Sequence, residues 1–345
     1  MKNNNIVFAP NIHAGGGAVL LNDLIKSAKS YEIRYYLDCR FKKIICIDAD
    51  DKNITWVRTG IWGRLLSEVD LWMSSSKGAR VLCLNGIPPL ISSNAGIFLF
   101  IQNRIIIDKV DLSKFKLKTR IRISIEKLLF SFLKKKVNTF FVQTASMRNL
   151  LVKRVNQKRQ HIKISPFGYL KVDHSRNIKN DWDFVYIADG EAHKNHCNLF
   201  LAWKILSEEG IYPKLAITLS DRDSRIKTLL DDLIKEHKLK IVDLGFVPHK
   251  DISSLYKSSH ALIYPSLLES FGLPLVEASI LDVPIVASEL DYVRDVCAPV
   301  QTFDPKSPLS IARAVKRFMQ YKEPDFCFDS PAAFLHQVFE VRHDV

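Results

Sequence analysis

The sequence predicts an α/β protein made of two doubly wound domains. Three observations lead there. Short apolar runs of strand length alternate with amphipathic helical segments along most of the chain, a pattern that winds a parallel sheet with helices on both faces. The alternation stops in a polar, aperiodic stretch at 168–182 and restarts at 183. A chain of 345 residues is long for one core and comfortable for two domains of about 170 residues each.

In the first half, Asn5–Pro10 reads as a buried strand, and Ala18–Ser30 as a helix with Leu21, Leu24, Ile25 and Ala28 on one face. Strands are expected at 33–38, 80–85, 95–102 and 138–143. Helices are expected at 61–74, with Leu65, Val69, Trp72 and Met73 together, and at 115–135. In the second half, strand 183–188 leads into helix 196–209, with Leu199, Ala202, Trp203 and Leu206 on one face and a stop at Gly210. Strands 214–219, 241–247, 260–265 and 284–288 follow, interleaved with helices 223–238, 251–258, 272–281 and 307–321. The expected division is an N-terminal Rossmann-like domain at 1–167, a linker at 168–182, a second Rossmann-like domain at 183–322, and a tail at 323–345 packing back on the first domain.

Composition excludes several classes. No apolar run approaches the ~20 residues of a membrane span. The start, MKNNNIVFAP, lacks the basic and apolar regions of a signal peptide, so a cytoplasmic location is expected. The six cysteines, Cys39, Cys46, Cys83, Cys197, Cys297 and Cys327, show no two-residue spacing of a zinc or redox site and read as free thiols. Charge is uneven: residues 1–166 carry net +18, the rest −5, and 113–163 hold 15 basic residues against the single acid Glu126. Such a basic face seeks phosphate or an anionic membrane.

Ligands of open parallel sheets bind beyond the carboxyl ends of the strands, and three loops there hold unusual residues. The loop after the first strand carries His13 and then Gly15, Gly16 and Gly17, whose amides can approach an anion at a helix N-terminus. It departs from the dinucleotide fingerprint because Leu20 stands at the third glycine position, which disfavours a dehydrogenase. The plain alternative is a tight strand-to-helix turn. The loop at 190–195 offers Lys194 to a phosphate; otherwise it is a solvated charged loop. His193 and His196, three apart, lack a carboxylate or Cys partner for a metal. The third loop, Glu269-Ser270-Phe271-Gly272-Leu273-Pro274-Leu275-Val276-Glu277, presents Glu269 before a helix and Glu277 within it, where a carboxylate can accept two hydrogen bonds from a vicinal diol.

ESFGLPLVE followed by ASILDVPIVAS resembles the glutamate–seven–glutamate signature of retaining glycosyltransferases of the GT-B fold, family four (glycosyl transferases group 1). GFVPHKDISSLYKSSHALIYPSLLES before it, YVRDVCAPVQTFDP after it, and VQTASMRNLLVKR with ISPFGY in the first half extend the likeness. LNGIPPL with FLFIQNR is similar to members from bacterial surface-polysaccharide pathways. The resemblance implies two domains across a cleft. It implies that Glu277 holds ribose hydroxyls, Glu269 meets the transferred sugar, and Phe271, Gly272 and Leu273 bind donor through backbone amides. By the same resemblance Lys194 and Gly15–Gly17 sit on the diphosphate, and the backbone near Val247 meets the base. His13, Asn85, Gln102 and Asn103 are the acceptor-side candidates. Departures are an absent arginine at Ala188-Asp189-Gly190, Asp282 in place of glycine before Val283-Pro284, and Gln102-Asn103-Arg104 where a histidine is usual.

The function this implies is sugar transfer with retention, from a UDP-, GDP- or dTDP-sugar to a lipid-linked or glycan acceptor, in O-antigen or capsular polysaccharide synthesis. Metal is expected to be dispensable and no obligate cofactor is implied; Asp48-Ala49-Asp50 imitates a metal-binding motif but reads as a turn. Residues 114–136 combine an apolar side (Ile121, Ile125, Leu128, Leu129, Phe132, Leu133) with flanking bases, reading either as a core-facing helix or as a helix lying on an anionic membrane surface, peripheral to the inner face of the plasma membrane. A nucleic-acid binder is a rival on charge alone, but exposed interleaved aromatics are lacking, and no nucleic-acid partner is expected. An inactive nucleotide-sugar-binding subunit is the second rival, suggested by the absent arginine.

Overall fold

The computed structural model describes residues 5–28, 31–45, 51–84, 86–91, 95–113, 115, 117–155, 161–168, 181–220 and 223–321. Most of the expected linker, the expected tail, Asn85, Asp48-Ala49-Asp50, Cys46 and Cys327 lie outside the described residues.

The first sheet is built from β1 (Asn5–Ala9), β2 (Ile33–Asp38), β3 (Ile54–Val57), β4 (Arg80–Cys83), β5 (Gly96–Phe100), β6 (Thr139–Val142) and β7 (His161–Ile164). Its helices are α1 (Gly15–Ser27), α2 (Ile61–Ser74), α3 (Arg104–Ile107), α4 (Leu117–Leu133) and α5 (Ala145–Val152). The second sheet holds β8 (Trp182–Tyr186), β9 (Leu215–Ile217), β10 (Ile241–Asp243), β11 (Ser259–Tyr264), β12 (Ile285–Ser288) and β13 (Gln301–Phe303). Around it run α6 (His196–Glu208), α7 (Ser224–His237), α8 (His249–Lys257), α9 (Leu273–Ile280), α10 (Asp291–Arg294) and α11 (Pro308–Phe318).

All strand pairs are parallel, in the orders β3-β2-β1-β4-β5-β6-β7 and β10-β9-β8-β11-β12-β13. Both orders reverse direction once, between β1 and β4 and between β8 and β11. The crevice for a ligand in such a sheet opens at that reversal, beyond the strands' carboxyl ends. Central strands are buried on both faces: β12 is buried throughout, as is β11 apart from His260. Helices covering both faces demand this.

The strands without a sequence signal, β3, β7 and β13, all lie at sheet edges. Only Val57 of β3 is buried, and none of β7 is. An edge strand that buries little has no apolar run to announce it.

Two helices reverse the expectation. In α2 the buried residues are Ser67, Glu68 and Leu71, while Val69, Trp72 and Met73, expected together on one face, are exposed. In α4 only Ile123 and Phe130 are buried, so the core-facing reading fails: Ile121, Ile125, Leu128 and Phe132 point outward. Leu129 and Leu133 are half-buried at the helix flank.

α6 packs as expected, with Leu199, Ala202, Trp203 and Leu206 buried and the Trp203 indole donating to Pro213 O at 2.9 Å. His196 joins them, 2% exposed, its ring 4.9 Å from Tyr186 and edge-on to Phe200. It is a core side chain, and its path parts from that of His193. Burial pushes the His196 ring down from 6.5 to about 4. The folded ring therefore stays neutral while the unfolded one takes up a proton, so stability falls as pH drops through that window. The shift is worth about 3 kcal/mol. Urea unfolding at about pH 7.5 and about pH 4.5 should show His196→Phe losing less stability on acidification than wild type, by about 2–3 kcal/mol; equal losses would contradict this placement.

Candidate active site

Three loops converge where the two sheets reverse direction. After β8, Ala192–Lys194 forms a single 3₁₀ turn that ends in Asn195, whose φ of 64° is left-handed. Asn195 tolerates that backbone and locks it: its side-chain amide donates to Pro265 O at 3.0 Å and Pro305 O at 2.7 Å. The Tyr186 hydroxyl donates to Lys194 O at 2.7 Å. The Lys194 side chain is thereby aimed across the reversal.

It meets Glu269, in the loop after β11. Lys194 Nζ lies 2.7 Å from Glu269 Oε1, with the side chains 17% and 12% exposed. Tyr264 and Ser266 hydroxyls donate to the same oxygen at 2.9 and 2.7 Å. Burial pushes the Glu269 carboxyl up, and the Lys194 ammonium more than reverses this, holding it below the ordinary range. Burial pulls Lys194 down, and Glu269 more than reverses that in turn, raising it. The pair is charged at neutral pH.

Gly272 caps α9 with φ 77°, which a side chain would strain. One turn on, Glu277 is 6% exposed. It accepts from the Tyr256 hydroxyl at 3.0 Å and faces His249 Nε2 at 3.2 Å. The Glu277 hydrogen bond raises the His249 pKa, against the opposing effect of burial. Sequence reasoning missed His249, Tyr256, Tyr264 and Ser266. The last two stand five and three residues before Glu269, in HALIYPS, and could have been read as its supports.

The first domain closes the cleft. Gly15, with φ 64°, opens α1. A Cβ on Gly16 would lie 3.0 Å from Leu273 Cδ1, and one on Gly17 2.9 Å from Gln102 Oε1, so both glycines permit close approach. Ser270 Oγ donates to Gln102 O at 2.6 Å, and Ser146 N to Asp295 Oδ2 at 2.9 Å. Between α1 and α9 lies a cavity of about 340 Å³ lined by Asp23, Phe167, His249, Phe271, Leu273 and Glu277, among others. Val247 is half-buried in the loop after β10, next to the exposed Phe246. His13 lies 3.8 Å from the buried Asp38. Asn103 caps α3 by accepting from Ile105 N at 3.0 Å, which engages its side-chain oxygen. Phe115 stacks on His193 with ring centroids 6.4 Å apart.

Residues 171–326 match the model of glycosyl transferases group 1. Over those residues the second domain is similar to the glycosyl transferases group 1 family. Curated relatives include the O-antigen chain mannosyltransferase B of Escherichia coli, 31% identical over 115 residues (32% of this chain, 30% of the relative). Another is the O-antigen chain mannosyltransferase RfbU of Salmonella typhimurium, 23% identical over 202 residues (57% and 56%). The matches thus span less than two thirds of these relatives. Among solved structures, the sucrose-phosphate synthase of Thermosynechococcus elongatus aligns with TM-score 0.68 at 12% identity, over 92% of this chain and 90% of that one. HepE of Anabaena, in complex with UDP and glucose, aligns with TM-score 0.64 at 14% identity over the same shares. The fold is GT-B.

Before Lys194, the segment where the resemblance led an arginine to be expected reads Ala188-Asp189-Gly190, and Glu191 follows it. Burial raises the Glu191 carboxyl; Asp189 adds to that, and Arg122 of the first domain opposes it from across the cleft. Among the described residues, no group of three His, Cys, Asp or Glu side chains is placed to hold a metal ion.

Breaking a buried ion pair strands the remaining charge. Lys194→Met should lower stability by about 3 kcal/mol in urea unfolding at neutral pH, with Lys194→Arg much milder. Loss of under about 0.5 kcal/mol in Lys194→Met would show that water solvates Glu269 and the pair is not buried in solution.

Proposed function

We propose that the chain transfers a hexose from a nucleotide-diphospho-sugar to a lipid-linked or glycan acceptor in bacterial O-antigen or capsular polysaccharide synthesis, retaining the anomeric configuration. The observation that carries this is the Lys194–Glu269 contact at the reversal of the second sheet, with Glu277 buried on the helix that follows and glycines 15–17 of the first domain close to Leu273 at that helix's start. A nucleotide diphosphate needs a cation, amides and a diol acceptor in that order along its length, and these groups supply them.

In this reading Glu277, oriented by Tyr256 and His249, accepts the two ribose hydroxyls. The loop at Val247 lies against the base. Lys194 and the amides of Gly15–Gly17 and of Phe271, Gly272 and Leu273 stabilise the charge that develops on the departing diphosphate. Glu269, fixed through one oxygen by three donors, faces the sugar. The bond from the anomeric carbon to the diphosphate breaks. The acceptor oxygen bonds that carbon on the same face, and its proton passes to a donor phosphate oxygen. Gln102, Asn103, His13 and Asn85 are the acceptor-side groups. Fixed cations and amides carry the electrostatics, so no obligate metal is invoked. The relatives named mannosyltransferases make a mannose donor the first to try, with the UDP, GDP and dTDP forms as candidates. No described helix is long and apolar enough to cross a membrane; a lipid-linked acceptor would be met at an anionic inner surface, through residues 114–136.

Thermal shifts against UDP, GDP, dTDP and their sugars test the site. A ligand at 100 times its dissociation constant stabilises by about 2.7 kcal/mol. One nucleotide should raise the melting temperature, and Glu277→Ala should abolish the rise. Turnover of the matching sugar should give a product whose NMR anomeric couplings equal the donor's; inverted couplings exclude the same-face route. Binding without turnover would reassign the chain as a nucleotide-sugar-binding subunit, and no shift with any nucleotide would remove the donor site.

A further inference from the structure

The outward faces of α2 and α4 share a pattern that the transfer reaction does not use. On α4, Ile121, Ile125, Leu128 and Phe132 follow at i, i+4, i+7 and i+11, and their exposures are 54, 52, 57 and 71%. On α2, Trp62, Leu66, Val69 and Met73 repeat the same spacing, at 79, 70, 38 and 63%. At 3.6 residues per turn, each stripe lies opposite the buried side of its own helix, which is Ser67, Glu68 and Leu71 in α2 and Ile123 and Phe130 in α4. Both helices therefore bury a short seam and turn a longer apolar row outward.

The two helices are neighbours. Arg64 of α2 and Arg122 of α4 both act on Glu126. Glu68 accepts from Leu90 N and Ile91 N at 2.7 and 3.2 Å, and Lys136, just past α4, donates to Leu90 O at 2.7 Å. The chain at 90–91 thus ties the end of α4 to α2.

Charge decides what covers these rows. Every acid on the two helices is paired. Glu68 is bound by Arg64 at 3.0 Å, Asp70 by Arg34 and Tyr36 at 3.0 and 2.8 Å, and Glu126 by Arg122 at 3.6 Å. Lys118, Arg120 and Lys135 of α4 and its following turn are exposed beside the apolar row. An apolar face with cations and no unpaired acid matches an anionic bilayer surface, where the side chains enter the acyl boundary and the cations meet the headgroups. Exposed tryptophans suit that interface, since the ring is apolar and its N–H finds a polar headgroup. A protein partner of equal size would need a matching acidic rim, and the paired acids of this face give a second copy none.

We infer that α2 and α4 together form a two-helix face that docks on anionic lipid, both helices supplying apolar rows and α4 with its following turn the cations. The inference rests on the membrane contact proposed above for residues 114–136 and extends it to α2; it does not involve the donor site. Its readout uses neither donor nor turnover, so the two fail separately.

The test is co-sedimentation of the full chain with vesicles of phosphatidylcholine alone and of phosphatidylcholine mixed with phosphatidylglycerol, at low and high salt. The chain should bind the anionic vesicles only and release as salt screens the headgroups. Trp62→Ser/Leu66→Ser on α2 and Ile125→Ser/Leu128→Ser on α4 should each weaken binding about tenfold or more, with wild-type melting temperatures because all four positions are exposed. Wild-type binding by the α2 variant would overturn the shared face. So would failure to bind either vesicle, or a concentration-dependent dimer in sedimentation equilibrium that the same substitutions dissociate without any vesicle binding.

Discussion

The buried contact between Lys194 and Glu269 couples the two strands at which the second sheet reverses. One charge comes from the loop after β8 and the other from the loop after β11. Desolvation costs both ions, and the Tyr264 and Ser266 hydroxyls offset part of it by donating to the same carboxylate oxygen. Such a pair adds little net stability compared with apolar residues of equal volume. Its value lies in a pre-oriented cation and a fixed carboxylate at the place where a sheet of this order receives ligand. The left-handed turn at Asn195, the Tyr186 bond to Lys194 O and the Leu267 N bond to His193 O surround it. Stability rests instead on the apolar core beneath, from Phe184 and Tyr186 to Trp203 and Tyr264.

Glu277 forms a second polar station on the same helix–loop unit. Tyr256 holds one oxygen and His249 the other, and the cavity beside them is shared with α1 and Phe167 of the first domain. The cleft is therefore a composite. The second domain brings the charged groups, and the first brings glycines small enough for Leu273 and Gln102 to come close. Arg122 extends this arrangement, because α4 acts on Glu191 at one end and carries an outward apolar row along its length.

Much of this was legible in the sequence, and what escaped has physical causes. Central strands such as β11 and β12 are continuous apolar runs because both faces are covered, and Glu269 and Glu277 stand out because acids are rare at the ends of such runs. β3, β7 and β13 were silent because they are edges that bury little. The partners of the glutamates were hidden because a tyrosine in a buried strand looks like core until its hydroxyl is seen to reach a carboxylate. Periodicity on α2 and α4 showed that an apolar face exists but not which way it points; only packing shows that Ile123 and Phe130, not the longer row, are the buried ones.

The central claim is that the Lys194–Glu269 pair is kept for chemistry and not for stability. A double-mutant cycle with Lys194→Met and Glu269→Leu, read in both urea unfolding and sugar transfer, addresses it directly. The double variant should regain most of the stability that Lys194→Met loses, because no charge is left buried alone, while transfer stays abolished. A double variant as unstable as the single one, or one that transfers sugar at the wild-type rate, would contradict the account.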